Sequence, residues 1–229
     1  MGACDGDALR IGGAVRGTGR AWGVILPPSS AMADSDAETI RAVLDGDVDR
    51  YAELVERYQD RALRLAFSLL GNYEDARDVS QDAFVSAYQS LGRFRGTARF
   101  STWLFRIVVN KCKDAYRRNA RQPRALLHVG EPPAEGEPGA GLFVDAPDPG
   151  AGPSDQLANQ DLARQLTAAI EALPMTQRTA FLLHHVHGVP LEEAAAVMGC
   201  RLGTVKSHIF RATASLRRQL APWLTKERS

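Results

Sequence analysis

The sequence from Leu191 to Leu216 reads LEEAAAVMGCRLGTVKSHIFRATASL and predicts two short helices joined by a tight turn. Gly199 is the residue that can adopt a left-handed conformation and end the first helix. Apolar side chains recur at helical spacing on both sides of this glycine. They are Leu191, Ala194, Ala195 and Met198 on the first helix, and Val205, Ile209, Ala212 and Leu216 on the second.

The opposite face of the second predicted helix is polar and cationic. It carries Thr204, Lys206, Ser207, His208 and Arg211. A helix buried on one side and lined with hydroxyl groups and cations on the other suits the major groove of duplex DNA. The stretch therefore predicts a helix-turn-helix DNA-binding element, in which Phe210 either touches the sugar-phosphate backbone or closes the core.

Length and composition limit the class of protein. The chain has 229 residues, 45% of them hydrophobic, which is enough for one or two modest domains. It contains no run of about 18 apolar residues, so no membrane span is predicted. Three widely spaced cysteines, Cys4, Cys112 and Cys200, are typical of a reducing compartment rather than of a disulfide framework. We therefore expect a cytoplasmic protein.

The net charge of +1 hides a strong segregation of charge along the chain. Residues 37–90 carry 11 acids and 6 bases, residues 91–125 carry one acid and 10 bases, and residues 126–155 carry six acids and no base. Bases again exceed acids beyond residue 156. Two basic blocks separated by an acidic segment indicate two contacts with one polyanion.

The pattern divides the chain into four segments. Residues 1–36 are rich in glycine and predict a disordered extension, with translation expected to begin at Met32. Residues 37–121 show apolar spacing of three and four in three successive stretches, which predicts an all-α bundle. Residues 122–156 are rich in Pro, Gly and acids and predict a flexible linker. Residues 157–226 form the second helical domain, which contains the helix-turn-helix.

Three sequence blocks occurring in order resemble one family. They are EDARDVSQDAF from Glu74, FRGTARFSTWL from Phe94 and GTVKSHIFRA from Gly203. Together with their flanks they resemble the second and fourth conserved regions of bacterial RNA polymerase sigma factors of the extracytoplasmic-function (ECF) group. The resemblance implies a protein that binds the polymerase core and directs initiation at promoters, without chemistry of its own. A stand-alone helix-turn-helix regulator is the alternative.

The first block implies a docking surface for the polymerase. Asp75, Asp78, Gln81 and Asp82 lie about one helical turn apart and present carboxylates and an amide on one face. By resemblance, this face docks on the clamp helices of the largest polymerase subunit, while the fourth region contacts the flap. Without the flanking blocks, an ordinary solvated helix face explains the same residues.

The second block and the helix after it imply capture of the melted −10 strand. Aromatic side chains interleaved with cations are the composition that single-strand binding requires. The residues expected to contact this strand are Phe94, Arg95, Arg99, Phe100, Ser101, Trp103, Arg106, Asn110, Lys113, Arg117 and Arg118. For Trp103, packing in the core is an equal alternative to stacking on a base.

The third block implies recognition of the −35 element as duplex. The residues expected to contact it are Arg201, Thr204, Lys206, Ser207, His208, Phe210 and Arg211. Arg201 and His208 depart from the residues usual in the family. The resemblance also implies an anti-sigma factor as a partner.

Other signals in the sequence are weak. His184, His185 and His187 stand close together, but no carboxylate or cysteine at ligand spacing completes a metal site. No pattern of a nucleophile with a base, or of paired catalytic carboxylates, is present. The sequence therefore predicts neither a metal, nor a cofactor, nor an enzyme.

Overall fold

The computed structural model describes residues 30–121 and 164–224, and within these two ranges all regular structure is helical. This confirms the all-α prediction. The helices are α1 (Ser30–Leu44), α2 (Tyr51–Leu70), α3 (Tyr73–Ser90), α4 (Phe100–Arg121), α5 (164–171), α6 (Met175–Phe181), α7 (Leu191–Met198) and α8 (Leu202–Leu224). Short 3-10 turns at Val48–Arg50 and Leu91–Arg93 and a π turn at Leu182–Val186 connect some of them. The predicted linker, 122–156, lies outside the described residues.

Helix α1 corrects the boundary of the predicted N-terminal extension. The helix begins at Ser30, so residues 30–36 are helical, whereas the sequence predicted disorder up to residue 36. Asp36 explains the difference, because its carboxylate is buried and accepts hydrogen bonds from the Tyr58 hydroxyl at 2.5 Å and from the Arg57 guanidinium. A buried carboxylate with two donors fixes this part of α1 against α2. The remaining residues of the extension lie outside the described ranges.

Helices α2, α3 and α4 form the bundle predicted for the first domain. Gly71, at φ +71°, ends α2, and its amide donates to the Phe67 carbonyl. Asn72 then begins α3, because its side-chain oxygen accepts a hydrogen bond from the Asp75 amide at 2.9 Å. The core between these helices includes Leu54, Tyr58, Leu65, Leu69, Phe84, Leu104 and Val108.

The second domain contains the predicted helix-turn-helix, formed by α7 and α8. Gly199, at φ +66°, ends α7 as expected. Val197 is buried on α7, whereas Leu191 and Met198 are only half-buried, so the apolar face is rotated slightly from the prediction. Helix α8 has 23 residues and is longer than predicted. Its Ala212 and Leu216 pack against Ala169 and Leu173 in a small core.

The two helical domains pack directly against each other, which the sequence did not predict. Helix α7 lies against α4, and α6 and the π turn contact α2. Leu183, Val189, Ala194 and Val197 belong to the same buried cluster as the core of the first domain. The buried Arg178 of α6 also donates a hydrogen bond to the Leu69 carbonyl at the end of α2, at 3.0 Å. None of the described helices is long and apolar enough to cross a membrane.

Candidate nucleic-acid interface

The acidic surface of α3 lies mostly in solvent. Asp78, Gln81 and Asp82 are exposed, and their spacing places them on one side of the helix. Asp82 is only loosely paired, with its Oδ2 atom 3.7 Å from Lys111 Nζ. Asp75 is half-buried and accepts a hydrogen bond from the Asn119 side chain at 3.1 Å. Three of the four predicted docking residues are therefore accessible to a basic partner, whereas Asp75 also has a structural contact.

The aromatic residues of the second block form one cluster. The Phe94 and Trp103 ring centroids are 5.2 Å apart, and Phe100 lies 6.0 Å from Phe94 and 5.7 Å from Trp103. Phe94 and Trp103 are half-buried, so each packs on the core and is still partly exposed to solvent. Both alternatives for Trp103 thus remain compatible with its position.

Phe100 and Ser101, which the sequence predicts to contact DNA, are buried. Each is only 2% exposed in this conformation. The Phe100 ring packs 5.5 Å from the buried Tyr58 ring, which makes it a core residue at the start of α4. The sequence could not distinguish this role, because a core aromatic and a stacking aromatic look alike in a basic block.

A polar, mostly cationic stripe runs along α4. Arg106, Asn110, Lys113 and Arg117 follow one another at intervals of four, three and four residues, so they share one side of the helix. Arg106, Asn110 and Arg117 are exposed. Burial and the neighbouring charge of Arg117 lower the pKa of Lys113. The exposed Arg95, Arg99 and Arg118 add charge around this stripe, and Arg117 pairs weakly with Asp114 at 3.4 Å.

Helix α8 presents the predicted −35 residues outward. Arg201, Thr204, Lys206, Ser207 and Arg211 are all exposed. Phe210 is 76% exposed, which excludes core closure and leaves contact with an external surface. His208 is half-buried, and its Nδ1 atom has no hydrogen-bond partner. Val205 and Ala212 anchor the opposite side of the helix in the interior.

The histidines of the second domain have packing roles. His187 is buried, with its Nε2 atom 2.7 Å from the Ser68 hydroxyl of α2. His184 contacts the Val189 carbonyl through Nδ1 at 3.1 Å, and the His185 ring packs 4.9 Å from Phe181. Among the described residues, no group of three or more His, Cys, Asp or Glu side chains is placed to hold a metal ion.

Cys112 and Cys200 differ in their surroundings. Cys112 is buried in the core of the first domain, and this burial raises the pKa of its thiol to about 12. A thiol with so high a pKa is not reactive at neutral pH. Cys200 is half-buried in the turn of the helix-turn-helix.

Sequence reasoning missed two residues near the predicted −10 surface. Thr102 is buried and donates a hydrogen bond to Glu193 of the second domain at 3.1 Å, and Glu193 also pairs with Arg99. Thr102 lies inside the block of basic and aromatic residues, and this position in the sequence could have identified it as a candidate −10 residue. Glu193 gave none, because an acid in the first turn of a helix is ordinary.

Comparison with known proteins identifies the family. The Sigma-70 region 2 model matches residues 54–122, and the Sigma-70 region 4 model matches residues 163–216. The RNA polymerase sigma-H factor of Pseudomonas aeruginosa is 33% identical over 83% of this chain and 96% of its own length. The ECF RNA polymerase sigma factor SigW of Bacillus subtilis is 32% identical over 79% of this chain and 94% of its own. The ECF RNA polymerase sigma-E factor of Escherichia coli is 33% identical over 84% of this chain and 97% of its own.

Solved structures give the same result. CnrH, in complex with the cytosolic domain of CnrY, matches with a TM-score of 0.58 and 27% identity, over 82% of this chain and 99% of that one. The sigma factor RpoE of Bartonella quintana, in complex with the anti-sigma factor NepR, matches with a TM-score of 0.50 and 25% identity, over 74% of this chain and 97% of that one. The chain therefore belongs to the ECF sigma factors of the sigma-70 family, the proteins that direct RNA polymerase to promoters.

Proposed function

We propose that this chain acts through three separate surfaces. The exposed carboxylates of α3 dock on the polymerase, the α4 stripe with the preceding loop holds the melted −10 strand, and the outer face of α8 binds the −35 duplex. The observation that carries the assignment is the placement of two exposed cationic surfaces on different elements, α4 and α8, and of an exposed acidic face on a third, α3.

The −10 surface combines charge with aromatic side chains. The stripe from Arg106 to Arg117 offers cations at intervals that can follow a phosphate backbone, and the half-buried Phe94 and Trp103 are partly exposed rings on which bases can stack. Asn110 is exposed within the stripe and can pair with a base edge. These features support single-strand binding, with Phe100 supporting the cluster from the core.

The −35 surface has the geometry of a major-groove helix. Lys206 and Arg211 can reach phosphates or guanine, and Thr204 and Ser207 can position phosphates. The Ser207 hydroxyl donates to the Gly203 carbonyl at 3.0 Å, and rotation about its Cβ–Oγ bond would redirect this proton to a phosphate oxygen. Phe210 is exposed beside them and can contact the sugar-phosphate edge.

Docking on the polymerase brings the two DNA contacts together. Each domain alone is expected to bind DNA weakly, and a core that holds both raises their effective concentration at one promoter. Basic side chains of the clamp helices are the partners expected for Asp78 and Asp82. In this proposal, the polymerase supplies the active site for RNA synthesis.

An anti-sigma factor is the expected regulatory partner. RpoE of Bartonella quintana, which this chain resembles, is held in a complex with the anti-sigma factor NepR. We propose that a comparable partner covers surfaces of this chain, and that the protein acts in the cytoplasm, where polymerase and promoter DNA are found.

Core-dependent transcription tests the proposal. Genomic fragments transcribed by polymerase core plus this chain are expected to give discrete transcripts that core alone does not give. Asp78→Lys is expected to weaken core binding at least tenfold in a pull-down titration, because it removes one attraction and adds a repulsion. Asp60→Lys is the matched control, since Asp60 is also exposed but lies on α2.

Two results would contradict these assignments. Absence of core-dependent transcripts, with specific DNA binding by the chain alone, would favour a stand-alone regulator. Equal core affinity of the Asp78→Lys and Asp60→Lys variants would remove the α3 surface from the interface.

A further inference from the structure

Glu193 of the second domain reaches across to the −10 surface of the first. Its Oε1 atom lies 3.3 Å from Arg99 Nη1, and its Oε2 atom accepts a hydrogen bond from the Thr102 hydroxyl at 3.1 Å. Both oxygens of one carboxylate are therefore held by donors three residues apart in sequence.

Arg99 and Thr102 are two neighbouring donors that can together bind an oxyanion. Arginine and threonine are side chains that proteins commonly use to hold backbone phosphates of nucleic acids. A carboxylate and a phosphate present similar charged oxygen acceptors to such donors. Thr102 is only 5% exposed. The Glu193 carboxylate, which accepts the hydrogen bond from its hydroxyl, covers this group in the present conformation.

We propose that Arg99 and Thr102 bind a backbone phosphate of the single-stranded −10 DNA, and that Glu193 fills this phosphate site when the domains are closed. The inference rests on the proposed function of the loop and α4. It adds Thr102 to the DNA-binding residues and makes Glu193 an intramolecular competitor of the DNA strand.

The surroundings of Glu193 fit this role. Helix α7 packs against α4, and at its far end Gly199 lies beside the Arg106 guanidinium, where an added Cβ atom would be 3.3 Å from Nη2. Both ends of α7 thus lie over cations of the −10 surface. The exposed face of α8, with Lys206 and Arg211, remains open in the same conformation. The closed chain therefore leaves the −35 surface accessible while the phosphate site is occupied.

Competition by a tethered carboxylate lowers the apparent affinity for DNA. The apparent dissociation constant rises as the fraction of chains with an open site falls. The Arg99 and Glu193 side chains are 39% and 28% exposed, so the ion pair is partly screened by solvent and its effect is moderate. Removal of the Glu193 carboxylate is expected to increase single-strand affinity about three- to tenfold.

Fluorescence anisotropy with the full-length chain tests the inference. The probe is a labelled pool of 12-nucleotide single-stranded DNA of random sequence, because a phosphate contact does not depend on bases. Glu193→Ala is expected to bind this pool about three- to tenfold more tightly than the wild type, and Glu193→Gln to fall between them. Glu192→Ala is the matched control, since Glu192 is an exposed carboxylate on the same helical turn. It is expected to change the affinity less than twofold.

Further variants test the phosphate site itself. In the Glu193→Ala background, Thr102→Val is expected to lose most of the gained affinity, whereas Thr102→Ser, which keeps the hydroxyl, retains it. In an Arg99→Ala background, Glu193→Ala is expected to have little effect. Thermal unfolding followed by circular dichroism verifies that each variant is folded.

Different experimental results would overturn the competition by Glu193 and the proposed function. Equal affinities of Glu193→Ala and Glu192→Ala, or a gain that survives both Arg99→Ala and Thr102→Val, would overturn the competition by Glu193. Such a result would leave core-dependent transcription by the wild-type chain intact. Absence of that transcription would instead overturn the proposed function.

Discussion

His187 makes the stability of this protein sensitive to mild acid. The ring is buried between the domains, 2.7 Å from the Ser68 hydroxyl. Ser68 also donates its hydroxyl proton to the Leu65 carbonyl at 3.0 Å, so its oxygen is left to accept a hydrogen bond from His187 Nε2. Burial, and then the nearby charges of Arg64 and Arg61, lower the pKa of His187 to about 4. The folded chain therefore keeps this histidine neutral.

The sign of the pH effect follows from the two protonation states. Below pH 6.5, its ordinary pKa, the histidine of the unfolded chain binds a proton, whereas His187 of the folded chain stays neutral until the pH falls to about 4. The free energy of unfolding therefore falls as the pH decreases from 6.5 to about 4, and this contribution is constant below that range. With these two pKa values, the loss is about 2 kcal/mol at pH 5 and about 3 kcal/mol once both states are protonated.

Urea unfolding of the wild type and of His187→Gln between pH 7.5 and pH 4.5 measures this effect. Glutamine keeps a donor for Ser68 and does not titrate, and the other histidines contribute equally to both proteins. The difference in unfolding free energy between the two proteins is expected to shift by about 2 kcal/mol in favour of the variant from pH 7.5 to pH 5. Parallel pH profiles would refute the argument, because they would mean that His187 has the same pKa in both states.

Three other substitutions have outcomes set by local structure. Asn72→Ala removes the side-chain cap of α3 and is expected to lower the unfolding free energy by about 1 kcal/mol, while Asn72→Asp keeps it in the same urea titration. Leu65→Ala leaves a cavity at a fully buried site and is expected to cost about 2–5 kcal/mol by the same measurement. Lys206→Ala is expected to make the slope of log K for duplex binding against log[salt] shallower by about one, as for the loss of one phosphate contact. Arg77→Ala, at an exposed position on α3, is the control that leaves this slope unchanged.

The helices of the first domain were predictable because local signals agreed with tertiary packing. Apolar spacing in residues 37–121 identified the helical stretches, and in the structure Gly71 and Asn72 form the boundary between α2 and α3. The outward face of α8 was predictable for the same reason, since its buried residues recur at helical spacing. In each case the sequence neighbours of a residue determine which side of the helix it occupies.

Long-range partners explain what the sequence did not predict. The start of α1 depends on Asp36 meeting Tyr58 and Arg57, more than twenty residues away. The burial of Phe100 depends on Tyr58 of another helix. Arg178 looks like a surface cation in sequence, but it is 5% exposed because backbone carbonyls of α2 and of its own domain accept its protons. Side-chain chemistry alone does not reveal such pairings.

The closed arrangement also predicts how Glu193→Ala gains affinity. Complete separation of the domains would expose apolar side chains of the shared core, among them Leu183, Val189 and Val197. Full exposure of one such side chain would cost about 1.5–3 kcal/mol, more than a partly exposed ion pair contributes. Loss of the Glu193 carboxylate should therefore uncover Thr102 and Arg99 locally while the domains stay packed.

Small-angle X-ray scattering distinguishes local uncovering from domain separation. The radius of gyration of Glu193→Ala is expected to equal that of the wild type and of Glu192→Ala, although its single-strand affinity is higher. An increased radius would contradict this, because it would mean that the ion pair, and not the apolar contact between α4 and α7, keeps the domains together. Equal radii would instead locate the competition at the phosphate site, since the only change would be the anion that Arg99 and Thr102 hold.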